Sequence, residues 1–364
     1  MGTLQTETSP HGTADEGQTP SRKRFAKYLF LVFIIPLLFY PLPFFIATSA
    51  SYEHWSTSQW GPMLEYAYDP APKNADVLIF GDSSAFIGIN PKILNAKFGI
   101  HSVVLPDTIG SIPVTRDTPL KTYLAHNAPP RLLVLYFSAW NLDFDHIAKV
   151  RQFEGEEMML RHESWSEIVH FTAHHPLEML RFPFRLYSTF GPKMIVAALH
   201  HVNREQTTAN SLGHADFNDM IFGPLTANCS LPSSLLAETG TRSVQDLVRQ
   251  YTTPQVRVVV YIAPVPDCGG SHALETRSYA GLHATPPEVL PARDFVGDHY
   301  YAHSTPTAVP VITAAFASWL APELVAHASS AAQSGLSQDG AGPEQSPRAA
   351  PERRDDRAWP GAAR

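Results

Sequence analysis

The chain has 364 residues, 44% of them hydrophobic and 17% charged, with a formal net charge of −7. That length allows two average domains, or one domain with a large insertion and unstructured ends. The acidic balance, with no Lys/Arg stripe after Lys27, excludes a nucleic-acid binder, and two cysteines exclude a multi-cysteine zinc site.

Residues 1–27 are polar and close on a basic cluster of Arg22, Lys23, Arg24 and Lys27, so they are expected to form a disordered cytoplasmic tail. Tyr28 to Ser49, YLFLVFIIPLLFYPLPFFIATS, carries no charge over 22 positions. At ~1.5 Å per residue it is long enough for the ~30 Å of a bilayer's hydrocarbon. The basic flank on its amino side predicts a single-pass anchor in the cell (inner) membrane, with the main domain extracytoplasmic or periplasmic. Pro36, Pro41 and Pro43 would kink such a span without forbidding it. A cleaved signal peptide is the rival, with Ala47-Thr48-Ser49-Ala50 as small residues for a peptidase, but the apolar run exceeds the usual length for one. Residues 50–73 read as a linker. Tyr52, Trp55, Trp60, Tyr66 and Tyr68 in it fit either an interfacial belt or packing on the next domain.

From Asp76 the pattern alternates between strand and helix. Asp76–Phe80 reads as a buried strand, and Pro91 opens a helix over 91–98. A short strand, His101–Leu105, precedes a loop with Gly110 and a helix at about Arg116–His126. Arg131–Phe137 and Gln255–Ala263 are continuous apolar runs of the kind found in parallel strands covered on both faces. An amphipathic helix follows at about Thr307–Leu320. The expected fold is an α/β domain over 74–325, a doubly wound, mostly parallel sheet in a three-layer sandwich, interrupted by a helical insertion over 144–254. Residues 326–364, rich in Ala, Ser, Gly, Pro and Arg, are expected to be a disordered tail.

The insertion has two clear amphipathic stretches, SWSEIVHFTAHH and MIVAALHHVNRE, and is rich in histidine and aromatics. A cap over a site or a membrane-facing surface would explain the aromatics. His170 and His174 stand at i, i+4, but no carboxylate occupies a matching metal-motif position, so no metal is expected. Cys229 and Cys268 read either as a disulfide, which an extracytoplasmic domain favours, or as two separate buried thiols.

Open α/β sheets carry their sites beyond the carboxyl ends of the strands. Ser83, Gly110, Asn141 and Pro264 all follow predicted strands. Ser83, on a tight turn between strand and helix, is placed as a nucleophile would be. The plainer alternative is a polar turn with Asp82 or Ser83 as a helix cap. A base and an orienting acid are available in Asp294-Phe-Val-Gly-Asp298-His299-Tyr-Tyr-Ala-His303, although His303 would also suit a cap for the helix after it.

The Gly81-Asp82-Ser83 turn, a glycine after the second strand, an Asn after the third and an Asp/His pair before the last helix together resemble the SGNH (GDSL-type) hydrolase superfamily, in its bacterial membrane-anchored form. The likeness covers about 74–143 and 255–320. It implies a flavodoxin-like sheet, with Ser83 as nucleophile, His303 as base and Asp298 as its orienting acid. It further implies the Ser83 N–H, Gly110 and Asn141 as oxyanion donors, and no cofactor. The third block lacks the family's flanking Gly and Asp, and Asp298 stands five before His303 rather than three, which leaves Asp294 open as the acid. The implied activity is an extracytoplasmic serine esterase or O-acyltransferase acting on acyl esters, for instance of cell-surface polysaccharide. The alternative is a catalytically degenerate subunit that holds a glycan for a membrane acyltransferase.

Overall fold

The computed structural model describes residues 22–49, 61–144, 153–186, 211–215, 222–237, 240–279 and 281–338. The chain divides into two units, Met1–Ala317 and Ser318–Arg364. The described part of the second is the run of helix that reaches Gln338.

The first unit is built on a four-stranded sheet of β1 (Val77–Gly81), β2 (Ser102–Pro106), β3 (Leu132–Phe137) and β4 (Arg257–Ile262). The order is β2-β1-β3-β4 and every pairing is parallel. Each residue of β1, β2 and β3 is buried, which is why these runs are apolar without alternation. β4 at the edge is half-buried over Arg257–Val259. Each strand starts one or two residues later than the sequence pattern places it.

Helices cover both faces. On one, Leu78, Phe80, Leu105, Leu133, Leu135, Phe137, Val260 and Ile262 share a core with the helices Gly61–Tyr68, Thr118–His126 and Arg242–Tyr251. On the other, Tyr136 and Tyr261 pack against Phe316 of the closing helix, with centroids 5.7 and 5.0 Å away. The chain therefore has the α/β architecture with a parallel sheet that its strand–helix order implies.

Several boundaries differ from the sequence pattern. Gly61–Tyr68 is a helix of the core, not linker: Met63, Leu64, Ala67 and Tyr68 lie on one helical face and are buried. Its run is too short and too aromatic to declare that period in advance. Tyr52, Trp55 and Trp60 lie outside the described residues. The helix Arg242–Tyr251 lies within the expected insertion but is the crossover between β3 and β4, with Val244, Leu247 and Tyr251 in the core. The closing helix, Val309–Gln338, runs past Leu320 into the expected tail. The alanines from Ala321 to Ala332 carry it on by intrinsic propensity, without an apolar stripe. Residues 339–364 are outside the description, as are 187–210 with the stretch MIVAALHHVNRE, His200 and His201.

The apolar stretch Tyr28–Ser49 is two helices rather than one. The first, Arg22–Phe39, starts within the basic cluster, and the second is Leu42–Thr48. Pro41 and Pro43 each lack the N–H that would continue the first helix, so the break falls there. The second helix docks on the insertion: Ala47 packs with Phe182 and Leu186, and Arg161 Nη1 donates to Ala47 O at 2.8 Å and Ser49 O at 3.1 Å. Among the described residues, the one helix long and apolar enough to cross a membrane is Val309–Ala326 and not the expected N-terminal stretch, which is split in two and whose longer helix carries four cations in its first six residues. Within Val309–Ala326, Ile312, Thr313, Phe316 and Ala317 are buried, however, and Phe316 packs on the sheet.

Cys229 and Cys268 form a disulfide, with Cα atoms 4.8 Å apart across 39 positions of sequence. In the chain-entropy picture a loop of that size is worth roughly 3–4 kcal/mol.

Candidate active site

The site lies at the carboxyl ends of β1 and β3, on either side of the point where the strand order reverses. Gly81 ends β1 so close to β3 that a Cβ would overlap the Tyr136 carbonyl oxygen, so only glycine fits. Asp82 then leaves the strand in an extended conformation and caps a short helix, Ser83–Gly88. The turn that carries Ser83 therefore opens a helix of its own, ahead of the one at Pro91.

Asp82 is fully buried and spends both oxygens on structure. Oδ1 accepts from Ser84 N at 3.0 Å and from Ser84 Oγ. Oδ2 accepts from Ser138 N at 3.0 Å and from Asn141 Nδ2 at 2.6 Å. One carboxylate thus ties the turn after β1 to the turn after β3, and its charge is met by four donors. Sequence reasoning gave Asp82 at most the role of a cap. The signal for more was a second polar turn, Ser138 to Asn141, at the end of the adjacent strand.

Ser83 Oγ lies 2.7 Å from His303 Nε2. The other ring nitrogen, Nδ1, meets Asp298 Oδ2 in a short hydrogen bond. A carboxylate at Nδ1 holds the proton there and leaves Nε2 to accept from the serine hydroxyl. Asp298 Oδ1 accepts from the backbone N–H groups of Tyr300 at 2.9 Å and Tyr301 at 3.2 Å. All three side chains are buried.

The spacing of five between Asp298 and His303 follows from the shape of this loop. Val296 N donates to His303 O at 2.9 Å, and Phe295 bridges Ser304, so the loop is closed at its base like a hairpin. Tyr301, in the left-handed region at φ 54°, turns the chain within it. The acid beside His303 is Asp298. Asp294 sits in a 3-10 turn whose carbonyl accepts from Thr305 N at 2.8 Å. His299 is exposed, with its ring near Phe222 and Tyr300.

The expected oxyanion donors lie on three turns, after β1, β2 and β3. The Ser83 N–H is at the first position of its helix, where no intrahelical acceptor exists. Gly110 lies in the buried turn after β2, whose first residue, Asp107, donates its N–H to Gly81 O at 3.1 Å. Asn141 gives one Nδ2 hydrogen to Asp82, while its Oδ1 is buried with no hydrogen-bond partner. Flipping the amide would set its oxygen against the Asp82 carboxylate, so the orientation is fixed by charge. Its second Nδ2 hydrogen is the one an oxyanion could use.

The insertion abuts this edge of the sheet. Its helix Phe153–His162 crosses the short helix Ile112–Thr115 at Gly155, where a Cβ would be 2.8 Å from Val114 Cβ and 2.9 Å from Ser111 O. The His170 and His174 rings lie 4.2 Å apart, tilted at 36°, and His174 Nδ1 bonds the His170 carbonyl at 2.8 Å. Among the described residues no three His, Cys, Asp or Glu side chains are grouped to hold a metal ion. Leu225 N donates to Phe295 O at 2.8 Å and Gly297 N to Gly223 O at 2.7 Å, so the segment carrying Cys229 pairs with the base of the Asp298 loop. No protein-family model, no curated protein and no solved structure matches the chain.

Proposed function

We propose that this protein is a serine esterase or O-acyltransferase of the SGNH type, anchored by its N-terminal helices and acting outside the cytoplasm. The observation that carries the reading is the relay from Asp298 through His303 to Ser83, with 2.7 Å at the serine. Ser83 Oγ attacks the ester carbonyl as His303 Nε2 takes its proton. Asp298 stabilises the imidazolium. The Ser83 and Gly110 N–H groups and the second Asn141 Nδ2 hydrogen serve the tetrahedral oxyanion. The leaving alcohol takes the proton back from His303 and an acyl-enzyme remains. Water, or a sugar hydroxyl of a cell-surface polysaccharide, then attacks it by the same steps in reverse. The chemistry needs no cofactor. The Cys229–Cys268 bond fits an oxidising, extracytoplasmic compartment.

The test is labelling of the full chain with a fluorophosphonate. Wild type is expected to be labelled at Ser83, and Ser83→Ala to remain unlabelled. An unlabelled but folded wild type would end the reading. A second reading is favoured by the engagement of Asn141 with Asp82: a non-catalytic subunit that presents a glycan to a membrane acyltransferase. It predicts normal glycan acylation in cells that carry only Ser83→Ala.

A further inference from the structure

A helix that flanks a core turns its apolar stripe inward. The insertion helices Trp165–His174 and 176–186 do so with Ile168, Met179, Phe182 and Leu186. They also carry a second apolar stripe that faces out. Trp165 is 82% exposed, with Val169 one turn on. Leu177, Leu180 and Phe184 follow at i, i+3 and i+7, Phe184 at 64%. Exposed apolar residues scattered singly need no account, but a helically spaced group of five does.

This stripe is continuous with the N-terminal helices. The Tyr40 ring lies 6.3 Å from Phe184, and its hydroxyl donates to Leu180 O at 3.5 Å. Phe44 packs 5.3 Å from Phe182, while Phe45 beside it is exposed. On the helix Arg22–Phe39, Phe30, Phe33 and Leu38 are exposed in turn. Its uncharged part, Tyr28–Phe39, rises ~18 Å, enough to enter the ~30 Å of a bilayer's hydrocarbon but not to cross it. The basic cluster Arg22–Lys27 precedes that part and Tyr40 follows it. The cations suit anionic headgroups, and Tyr40 with Trp165 suits an interfacial layer.

We propose that the outer face of the insertion is a second membrane contact, seated in the interfacial layer of the bilayer that the N-terminal helices enter. Trp165, Leu177, Leu180 and Phe184 reach the acyl-chain boundary there. The proposal rests on the anchor reading of residues 22–48 and not on the chemistry of Ser83. Its consequence is positional. Met159, Ile168 and Met179 form a cluster on which Val114 packs, so the rim of the site beside Gly110 is held close to the bilayer surface.

The experiment places nitroxides on the full chain at Leu180→Cys and Phe184→Cys, with Phe33→Cys for the anchor and Arg249→Cys for water. The labelled proteins are reconstituted into vesicles of phosphatidylethanolamine and phosphatidylglycerol. Labels at 180 and 184 are expected to relax several-fold more with oxygen than with a water-soluble nickel chelate, as at 33 and opposite to 249. Nickel-dominated relaxation at 180 and 184, with lipid exposure at 33, would overturn the second contact and leave the anchor standing. Shielding from both relaxers, or dipolar broadening between copies, would mean a protein-covered face and also overturn it. Water exposure at 33 as well would overturn the anchor with it.

Discussion

Asp298 serves two masters with its two oxygens: Oδ2 holds the His303 ring and Oδ1 holds the backbone of its own loop. Asp298→Asn keeps the loop acceptor but sets an amide against Nδ1, which favours the wrong tautomer. The expected outcome is a fall in kcat on the order of 10⁴ with a folded protein, read by steady-state hydrolysis of an activated ester. Asn141→Ala removes the proposed oxyanion donor and one Asp82 partner, so kcat should drop about 10²–10³ with KM nearly unchanged. A drop confined to KM would show that Asn141 binds substrate instead. At this scale the sequence was legible where chemistry declares itself. A serine on a strand-to-helix turn and a histidine before the last helix stand out by residue type. The acid did not, because its distance from His303 is set by a left-handed turn at Tyr301, and nothing marks a tyrosine for that conformation. Asp82 was legible as a cap but not as a tie between strands, which only sheet order reveals.

Between elements, the joints are polar. Glu65, on the helix Gly61–Tyr68, accepts from Arg161 Nε and pairs with His162 Nε2 at 3.0 Å, while Arg161 reaches the end of the helix Leu42–Thr48. Burial pushes the Glu65 carboxyl up, but the hydrogen bonds and charges of His162 and Arg161 more than offset it, so it titrates below its ordinary range. A lowered folded value stabilises above the unfolded value of ~4.3 and is lost as pH falls through the folded one. Denaturant melts of the solubilised full chain should show the advantage of wild type over Glu65→Gln shrinking as pH drops below ~4.3. An advantage that grew there would refute the joint. Gly155→Ala, which forces a Cβ against Val114 and Ser111, should cost on the order of 1–3 kcal/mol by the same melts. Strands β1 to β4 were legible because burial on both faces leaves continuous apolar runs. The break at Tyr40–Pro41 was legible only as a kink, since whether a proline bends or ends a helix depends on what can hold the pieces afterwards. Here Arg161 and Phe182 hold the second piece.

Across the whole molecule, the disulfide joins the segment that supports the Asp298 loop to the stretch just beyond the short strand Val265–Pro266. The double change Cys229→Ser, Cys268→Ser should lower unfolding free energy by roughly 3–4 kcal/mol. It should also slow fluorophosphonate labelling of Ser83 more than a remote change of equal thermal cost, such as one on the exposed face of Arg242–Tyr251. Equal slowing would assign the bond to stability alone. The pairing of Ser83 with His303 spans 220 positions of sequence. A contact that distant forms late, after shorter loops have closed. During synthesis, Ser83 emerges long before its base exists. Until residue 303 is made and the closing loop has docked, that serine is an ordinary alcohol with no proton acceptor beside it. On the proposed mechanism, a chain stalled or truncated before residue 303 therefore carries no activated serine, and reactivity arrives only with the completed domain.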